Sequence, residues 1–221
     1  MAQIDESDDV YPVSDDSLLL LEAVKYARGR VLDMFAGTGV IGLNASESAE
    51  SVVLTDISDA AIKLIKHNIK KNGIKNARVI KSDAFKNLQN EKFDIILMNP
   101  PYLPDNSSVS TSLDLSTIGG KEGQELTIRV IKEIKSHLYK GGMAFLILSS
   151  AHSLEKVYKE IESNNLEYSI LDSKKFFFEE LILVRIHEKR RDIVESKTDS
   201  VGRNNRKLGS DISLKGRKRL A

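Results

Sequence analysis

The sequence predicts an α/β fold: a doubly wound, mostly parallel seven-stranded sheet closed by an antiparallel C-terminal hairpin. Three observations carry that expectation. Five short runs, at 30–35, 51–57, 78–83, 93–98 and 143–149, are nearly continuous in apolar, largely β-branched residues, as strands covered on both faces are. Helix-like stretches alternate with them, which calls for parallel pairing through right-handed crossovers. Beyond Leu166 the alternation stops, and two strand-like runs at 167–172 and 180–187 follow one another.

Taken in order, the elements begin with a helix over 16–28 that feeds the first strand, 30–35. A glycine-bearing turn leads to a helix over 40–47, and the second strand occupies 51–57. The next helix spans 58–72, with Ser58 as its N-cap and Gly73 as the stop after Asn72. Strands at 78–83 and 93–98 follow, then a loop containing Gly119, Gly120 and Gly123. That loop reads as a turn, or as a flexible rim of a substrate pocket. A long helix covers 122–138, and 139–142 links it to the strand at 143–149. A last helix at 153–164 precedes the hairpin, in which Leu181, Leu183 and Arg185 alternate against Ile182, Val184 and Ile186. No internal repeat is apparent.

The chain has 221 residues, 41% hydrophobic and 29% charged, the composition of an ordinary soluble globular domain with an appendage. No apolar run approaches the roughly 20 residues needed to span a bilayer. The opening MAQIDESDD is acidic where a secretory signal is basic and then apolar. With no cysteine, a disulfide framework, a thiolate nucleophile and a cysteine-ligated metal are excluded. These features predict a cytoplasmic protein without membrane association. The four histidines, at 67, 137, 152 and 187, lack metal-ligand spacing, so no metal site is expected. The net charge of +1 hides an asymmetry: residues 189–221 hold 11 Lys/Arg against 4 acids, or +7, leaving −6 for the rest. The expected organisation is an acidic globular domain over 1–188 and a basic, disordered tail over 189–221. The tail is either a solubilising extension or a contact for RNA phosphates.

The first strand runs into Asp33-Met34-Phe35-Ala36-Gly37-Thr38-Gly39-Val40-Ile41-Gly42. Gly37, Gly39 and Gly42 satisfy the G-x-G-x-x-G pattern of dinucleotide sites, a weak signal by itself. Asp33 argues for a different ligand, because a carboxylate at this strand end would repel a pyrophosphate. It would instead hold the ammonium of S-adenosylmethionine, in a charge-assisted hydrogen bond of roughly 1.5–3 kcal/mol. Asp56 ends the second strand where such folds place a carboxylate on ribose hydroxyls. Asp83, followed by Ala84, ends the third and is placed to meet the adenine amino group. Carboxylates ending three successive strands define one ligand-binding edge.

After the fourth strand comes Asn99-Pro100-Pro101-Tyr102. Two prolines stop the strand and fix the direction of their carbonyls. The Asn99 side-chain oxygen and the Pro100 carbonyl are then placed to accept both hydrogens of one planar NH₂ group. This aims the nitrogen lone pair at the donor methyl and needs no strong base. Orientation of the reactants supplies roughly 7–11 kcal/mol of such a barrier reduction. Tyr102 would wall the pocket, and Pro101 completes the acceptor grip.

These motifs resemble those of the HemK/PrmC-like protein-glutamine N5-methyltransferases, which have the Rossmann-like class I methyltransferase fold. The likeness covers roughly 10–187. It includes Val10-Tyr11-Pro12-Val13-Ser14-Asp15-Asp16-Ser17-Leu18-Leu19-Leu20, similar to the family's V-Y-x-P-x-E-D-T-x-L-L, and Gly119-Gly120-Lys121-Glu122-Gly123-Gln124-Glu125, similar to its G-G-x-x-G-x-E. The closest resemblance is to the archaeal and eukaryotic branch, since there is no room for the N-terminal helical domain of the bacterial members. Three departures stand out: Pro12 sits one position early, Ser17 replaces Thr, and Phe35 replaces a glycine of the cofactor loop. The resemblance implies methylation of the glutamine amide in the GGQ loop of a class I translation release factor. It assigns Ser17, Asp33, Gly37, Asp56, Asp83 and Asn99 to the cofactor and its transfer geometry, with Gly39 and Ala84 beside them, and Asn99 and Pro100 to the amide. It further implies a small zinc-binding activator protein on the free sheet edge at residues 78–82, beginning at Arg78.

Asn-Pro-Pro-Tyr also serves enzymes that methylate base amino groups. A duplex-DNA enzyme needs a region that flips and reads a base, which this chain lacks; an RNA enzyme stays open because of the basic tail. A non-catalytic S-adenosylmethionine-binding partner is disfavoured because every chemical position holds a competent residue.

Overall fold

The computed structural model describes residues 1–105 and 117–189. The basic segment 190–221, expected to be a disordered tail, lies outside those residues. Seven strands make one sheet: β1 (Arg30–Met34), β2 (Ser51–Asp56), β3 (Ala77–Lys81), β4 (Phe93–Met98), β7 (Leu138–Ser149), β8 (Leu166–Lys175) and β9 (Glu180–Glu188). Their order is β3-β2-β1-β4-β7-β9-β8. The pairs from β3 through β7 are parallel, while β9 runs antiparallel to both β7 and β8. The predicted class and closing hairpin are what the molecule adopts.

Side chains alternate strictly across this sheet, so each strand feeds two cores. Leu32, Met34, Ile96, Met98, Leu146 and Leu148 face one layer, packed by α4 (Glu125–His137) and α5 (Leu154–Ser163). Val31, Ile95, Leu97, Phe145 and Ile147 face the other, where α1 (Asp15–Leu21), α2 (Val40–Ala45) and α3 (Asp59–Lys71) contribute Leu20, Leu43 and Ile65. Burial on both faces is why these strands read as unbroken apolar runs.

Ser58 caps α3 as expected, its Oγ accepting from the Ala61 N–H at 3.3 Å. Gly73 follows at φ +65 after Asn72. Ser58→Ala should lower stability by about 1 kcal/mol, the cost of an orphaned first-turn donor. Equilibrium urea unfolding measures this, and an unchanged midpoint would contradict the cap.

Three elements differ from the sequence reading, one being the expected link at 139–142, which is the opening of β7 (Leu138–Ser149). The expected helix over 16–28 ends at Leu21, and the chain tightens into a 3₁₀ turn at Val24–Tyr26. Successive bonds reach only three residues back, Ala23 to Leu20, Tyr26 to Ala23 and Ala27 to Val24. Gly29 at φ +55 then passes under Asp94, whose carboxylate accepts from the Arg30 N–H at 2.8 Å. The third is a small parallel pair, β5 (Leu103–Pro104) with β6 (Ile118–Gly120), apart from the main sheet. Its strands are too short to leave a periodic signature.

Candidate active site

The carboxyl ends of β1, β2, β3 and β4 open into one cleft of about 480 Å³. Asp33, Gly37, Asp56, Asp83 and Ala84 line it, together with Ser17 and all four residues Asn99, Pro100, Pro101 and Tyr102. Residues 9–12 of the N-terminal segment close one side. That segment is tied down by Asn68, fully buried on α3, which accepts from the Asp5 N–H and donates to the Asp5 and Thr38 carbonyls at 3.0 Å each. Asn68 therefore joins the N-terminal segment to the cofactor loop, while Asn44 and Asn72 hold Ala2 and Gln3 and Lys71 pairs with Asp5.

The loop after β1 obtains its shape from backbone conformations that side chains rarely adopt. Gly37 and Gly39 have φ of +52 and +84, and Phe35 stands at +62. A glycine is the ordinary occupant of that conformation, so the departure at Phe35 keeps the backbone and adds a ring packed against the core. Gly39 lies outside the cleft lining; a Cβ there would stand 2.8 Å from Leu43, so it serves the turn and the start of α2. At Gly42 a Cβ would lie 2.6 Å from Leu54 and 2.9 Å from the Asp33 carboxylate. The third glycine thus lets α2 approach the sheet.

Asp33 is 1% exposed and accepts from the Gly42 N–H at 2.7 Å. Burial raises its pKa from 3.8 to about 7, against the Gly42 N–H and with help from the charge of Asp56. Among the described residues it has no cationic partner. A buried carboxylate facing a cleft without a counter-ion fits the ammonium of an amino-acid ligand. Asp56 accepts from the Gly37 and Ser58 N–H groups at 2.9 Å each, and burial again raises its pKa. It ties the glycine loop to the end of β2. Asp83 differs: Arg129 on α4 grips both its oxygens and holds its pKa low. Sequence reasoning missed Arg129, since a cation on a helix face gives no sign of which distant carboxylate it meets.

The reacting end is built on backbone. A Cβ on Gly119 would lie 2.4 Å from the Pro101 carbonyl, and one on Gly123 would lie 2.4 Å from that of Tyr102. The 119–123 loop is accordingly a close-packed buttress for the tetrapeptide rather than a flexible rim. Pro100 is buried, and the Asn99 Oδ1 is a buried acceptor without a hydrogen-bond partner. An orphaned buried oxygen costs on the order of 1–3 kcal/mol and is therefore a place where a donor is wanted.

Beside it lies a network the sequence reading did not single out. Asp16, 2% exposed, accepts from Ser14 Oγ at 2.6 Å and from the Ser17 N–H at 2.6 Å. The Tyr11 and Tyr102 hydroxyls each reach its other oxygen at 3.4 Å. Burial, followed by the Asp16 charge, raises the pKa of Tyr102 and keeps it a neutral donor. Ser17 donates to the same carboxylate at 3.2 Å. Asp16 thus joins α1 to the tetrapeptide. The consecutive acids Asp15 and Asp16 were the available signal, but only the fold separates them: Asp15 pairs with Lys174 at the surface.

Residues 12–174 match the family model described as methyltransferase small domain. A relative from Methanocaldococcus jannaschii, named as a protein N5-glutamine methyltransferase, is 34% identical over 80% of this chain and 90% of its own length. The release factor glutamine methyltransferase of Aquifex aeolicus is 32% identical over 64% of this chain, which spans about half (53%) of that protein. Among solved structures, the Mtq2–Trm112 complex of E. cuniculi, described as responsible for methylation of the eRF1 termination factor, superposes with a TM-score of 0.65. The identity is 22%, over 82% of this chain and 99% of that one, a likeness of fold.

Proposed function

Because this chain belongs to the methyltransferase small domain family, within it to the protein N5-glutamine methyltransferases, and uses S-adenosylmethionine, we propose that it methylates the glutamine amide in the GGQ loop of a class I release factor. The observation that carries this reading is the orphaned Asn99 Oδ1 beside a buried Pro100. One planar NH₂ group answers it: one hydrogen goes to Asn99 and the other to the Pro100 carbonyl. The name of the Aquifex aeolicus relative points to the same acceptor.

When bound, S-adenosylmethionine supplies a sulfonium-activated methyl group. The residues of this chain do the rest by position. Asp33 receives the ammonium, Asp56 the ribose hydroxyls, and Asp83 with Ala84 the adenine edge. Asn99 and Pro100 draw positive charge out of the amide nitrogen as it alkylates, which is electrostatic stabilisation aimed at the transition state. Tyr102, held by Asp16, walls the acceptor. No side chain is required to take the proton before transfer; the methyl carbon–sulfur bond would break to leave a neutral thioether, and the methylated nitrogen would then give up one of its two hydrogens as a proton to water.

Among the described residues β3 is a free sheet edge, with Arg78 paired to Glu91 and Lys81 to Asp59. A small activator protein adding a strand at 78–82 fits this edge. The domain proper corresponds to residues 1–188. The +7 of 189–221 favours a second reading, methylation of a base amino group in RNA held by its phosphates.

One experiment separates the two. The full chain, alone and with the activator, is incubated with methyl-labelled S-adenosylmethionine and either release factor or RNA. Label should appear in the release factor and vanish when its GGQ glutamine is replaced. Label confined to RNA, or to another protein, overturns the proposal.

A further inference from the structure

The β8–β9 hairpin ends in Phe176, Phe177 and Phe178, and the last two are 91% and 90% exposed. Exposed aromatic pairs of this kind are uncommon on a surface without a use for them. The turn is built: the Phe176 N–H donates to the Glu179 carbonyl at 2.7 Å, and the two rings meet edge to face at 4.6 Å. It stands on the same edge of the sheet as the cleft. Ser149, which pairs with Leu181, lies three residues past the Met98–Leu146 pair, level with the tetrapeptide. Glu179, next to Phe178, accepts from Ser149 Oγ at 2.6 Å, and its charge acts on the Tyr102 hydroxyl. The apolar rim continues on the acceptor side of the cleft in Leu103, 43% exposed.

Resting on the reading above, we infer that Phe177 and Phe178 are the docking tip for the body of the acceptor protein, seating in an apolar recess beside the loop that carries the reactive glutamine. The charge around the tip selects this occupant. Lys174 and Lys175 are matched in number by Glu179 and Glu180, and Asp15, which pairs with Lys174, adds a third acid, so the tip carries no excess of positive charge. Such a tip attracts neither nucleic-acid phosphates nor an anionic membrane surface. Aromatic residues at a charge-balanced centre are the make-up of protein–protein contacts.

The test compares the full wild-type chain, with its activator, to F177A/F178A and F177L/F178L. Because both rings are in solvent, the melting temperature and the affinity for S-adenosylhomocysteine should be unchanged. For F177A/F178A the KM for release factor should rise at least about tenfold, as loss of an interface anchor does, with kcat within about twofold; the leucine pair should recover most of the loss. An unchanged KM, a matching loss of S-adenosylhomocysteine affinity, or weakened binding of a uridine oligomer in place of the KM effect each overturns the docking role. A wild-type chain that transfers nothing to release factor overturns the proposed acceptor and the docking together, whereas equal transfer by wild type and F177A/F178A overturns the docking alone.

Discussion

Asn99→Ala removes methyl transfer while leaving cofactor affinity close to that of the native chain. The loss expected is at least about 10³-fold in single-turnover rate, the scale on which removal of a preorganised charge-stabilising group acts. It follows from where the side chain sits. Asn99 comes directly after β4, its Oδ1 is buried and partnerless, and the two prolines behind it leave no neighbouring side chain able to swing in. Tyr102 is engaged with Asp16, and the 119–123 buttress blocks backbone movement. Rapid-quench transfer to release factor, with calorimetry of S-adenosylhomocysteine alongside, measures the two effects separately. Retained transfer would remove Asn99 from the acceptor grip; equal losses in both would make it a cofactor residue only.

The second large effect is a pH dependence of cofactor binding set by Asp33. Burial raises this carboxyl to about 7 from 3.8, so the free protein near pH 6 holds it protonated. The sign follows directly. A raised acid contributes stability that is fully present below 3.8 and is lost as pH rises through about 7, so the ligand-free chain weakens across that window. With Asp33 in its proposed role, the ammonium of the cofactor requires the ionised form. Affinity should therefore climb with pH by up to about tenfold per unit below 7 and level off above it, with a proton released on binding near pH 6. Asp33→Asn should flatten that profile, cost about 1.5–3 kcal/mol of binding at pH 8, and make the ligand-free chain more stable there. Calorimetry in buffers of different ionisation enthalpy counts the proton. A slope unchanged by Asp33→Asn would assign the titration to another group.

Much of this was legible because a parallel sheet writes its topology in local patterns. Strands β1, β2 and β4 are covered on both faces and announce themselves as apolar runs, while the edge strand β3 is only partly buried; each leads to a residue chemistry can use, Asp33, Asp56 or Asn99 at once and Asp83 two residues on. What stayed hidden depends on contacts between distant segments. The Asp83–Arg129 pair joins residues 46 apart, and the Tyr102–Asp16 contact joins residues 86 apart. The Gly119 and Gly123 requirement arises only when their loop meets Pro101 and Tyr102. The shortening of the first helix was hidden too: the bonds from Ala23, Tyr26 and Ala27 reach only three residues back, and nothing in the run 22–28 marks that tightening.

The pairing of β1 with β4, Asp33 opposite Leu97 and Met34 opposite Met98, also sets a ruler. Asp33, proposed to receive the donor, stands on β1, and Asn99, proposed to grip the acceptor, directly follows the adjacent β4, one inter-strand spacing of about 4.8 Å away in the direction of the hydrogen bonds. Backbone hydrogen bonds fix that step whatever side chains the helices carry. Drift in the outer layers can therefore remodel which macromolecule is admitted while the reach between the two substrates stays constant. New acceptors become accessible to such a scaffold by changes at its rim alone.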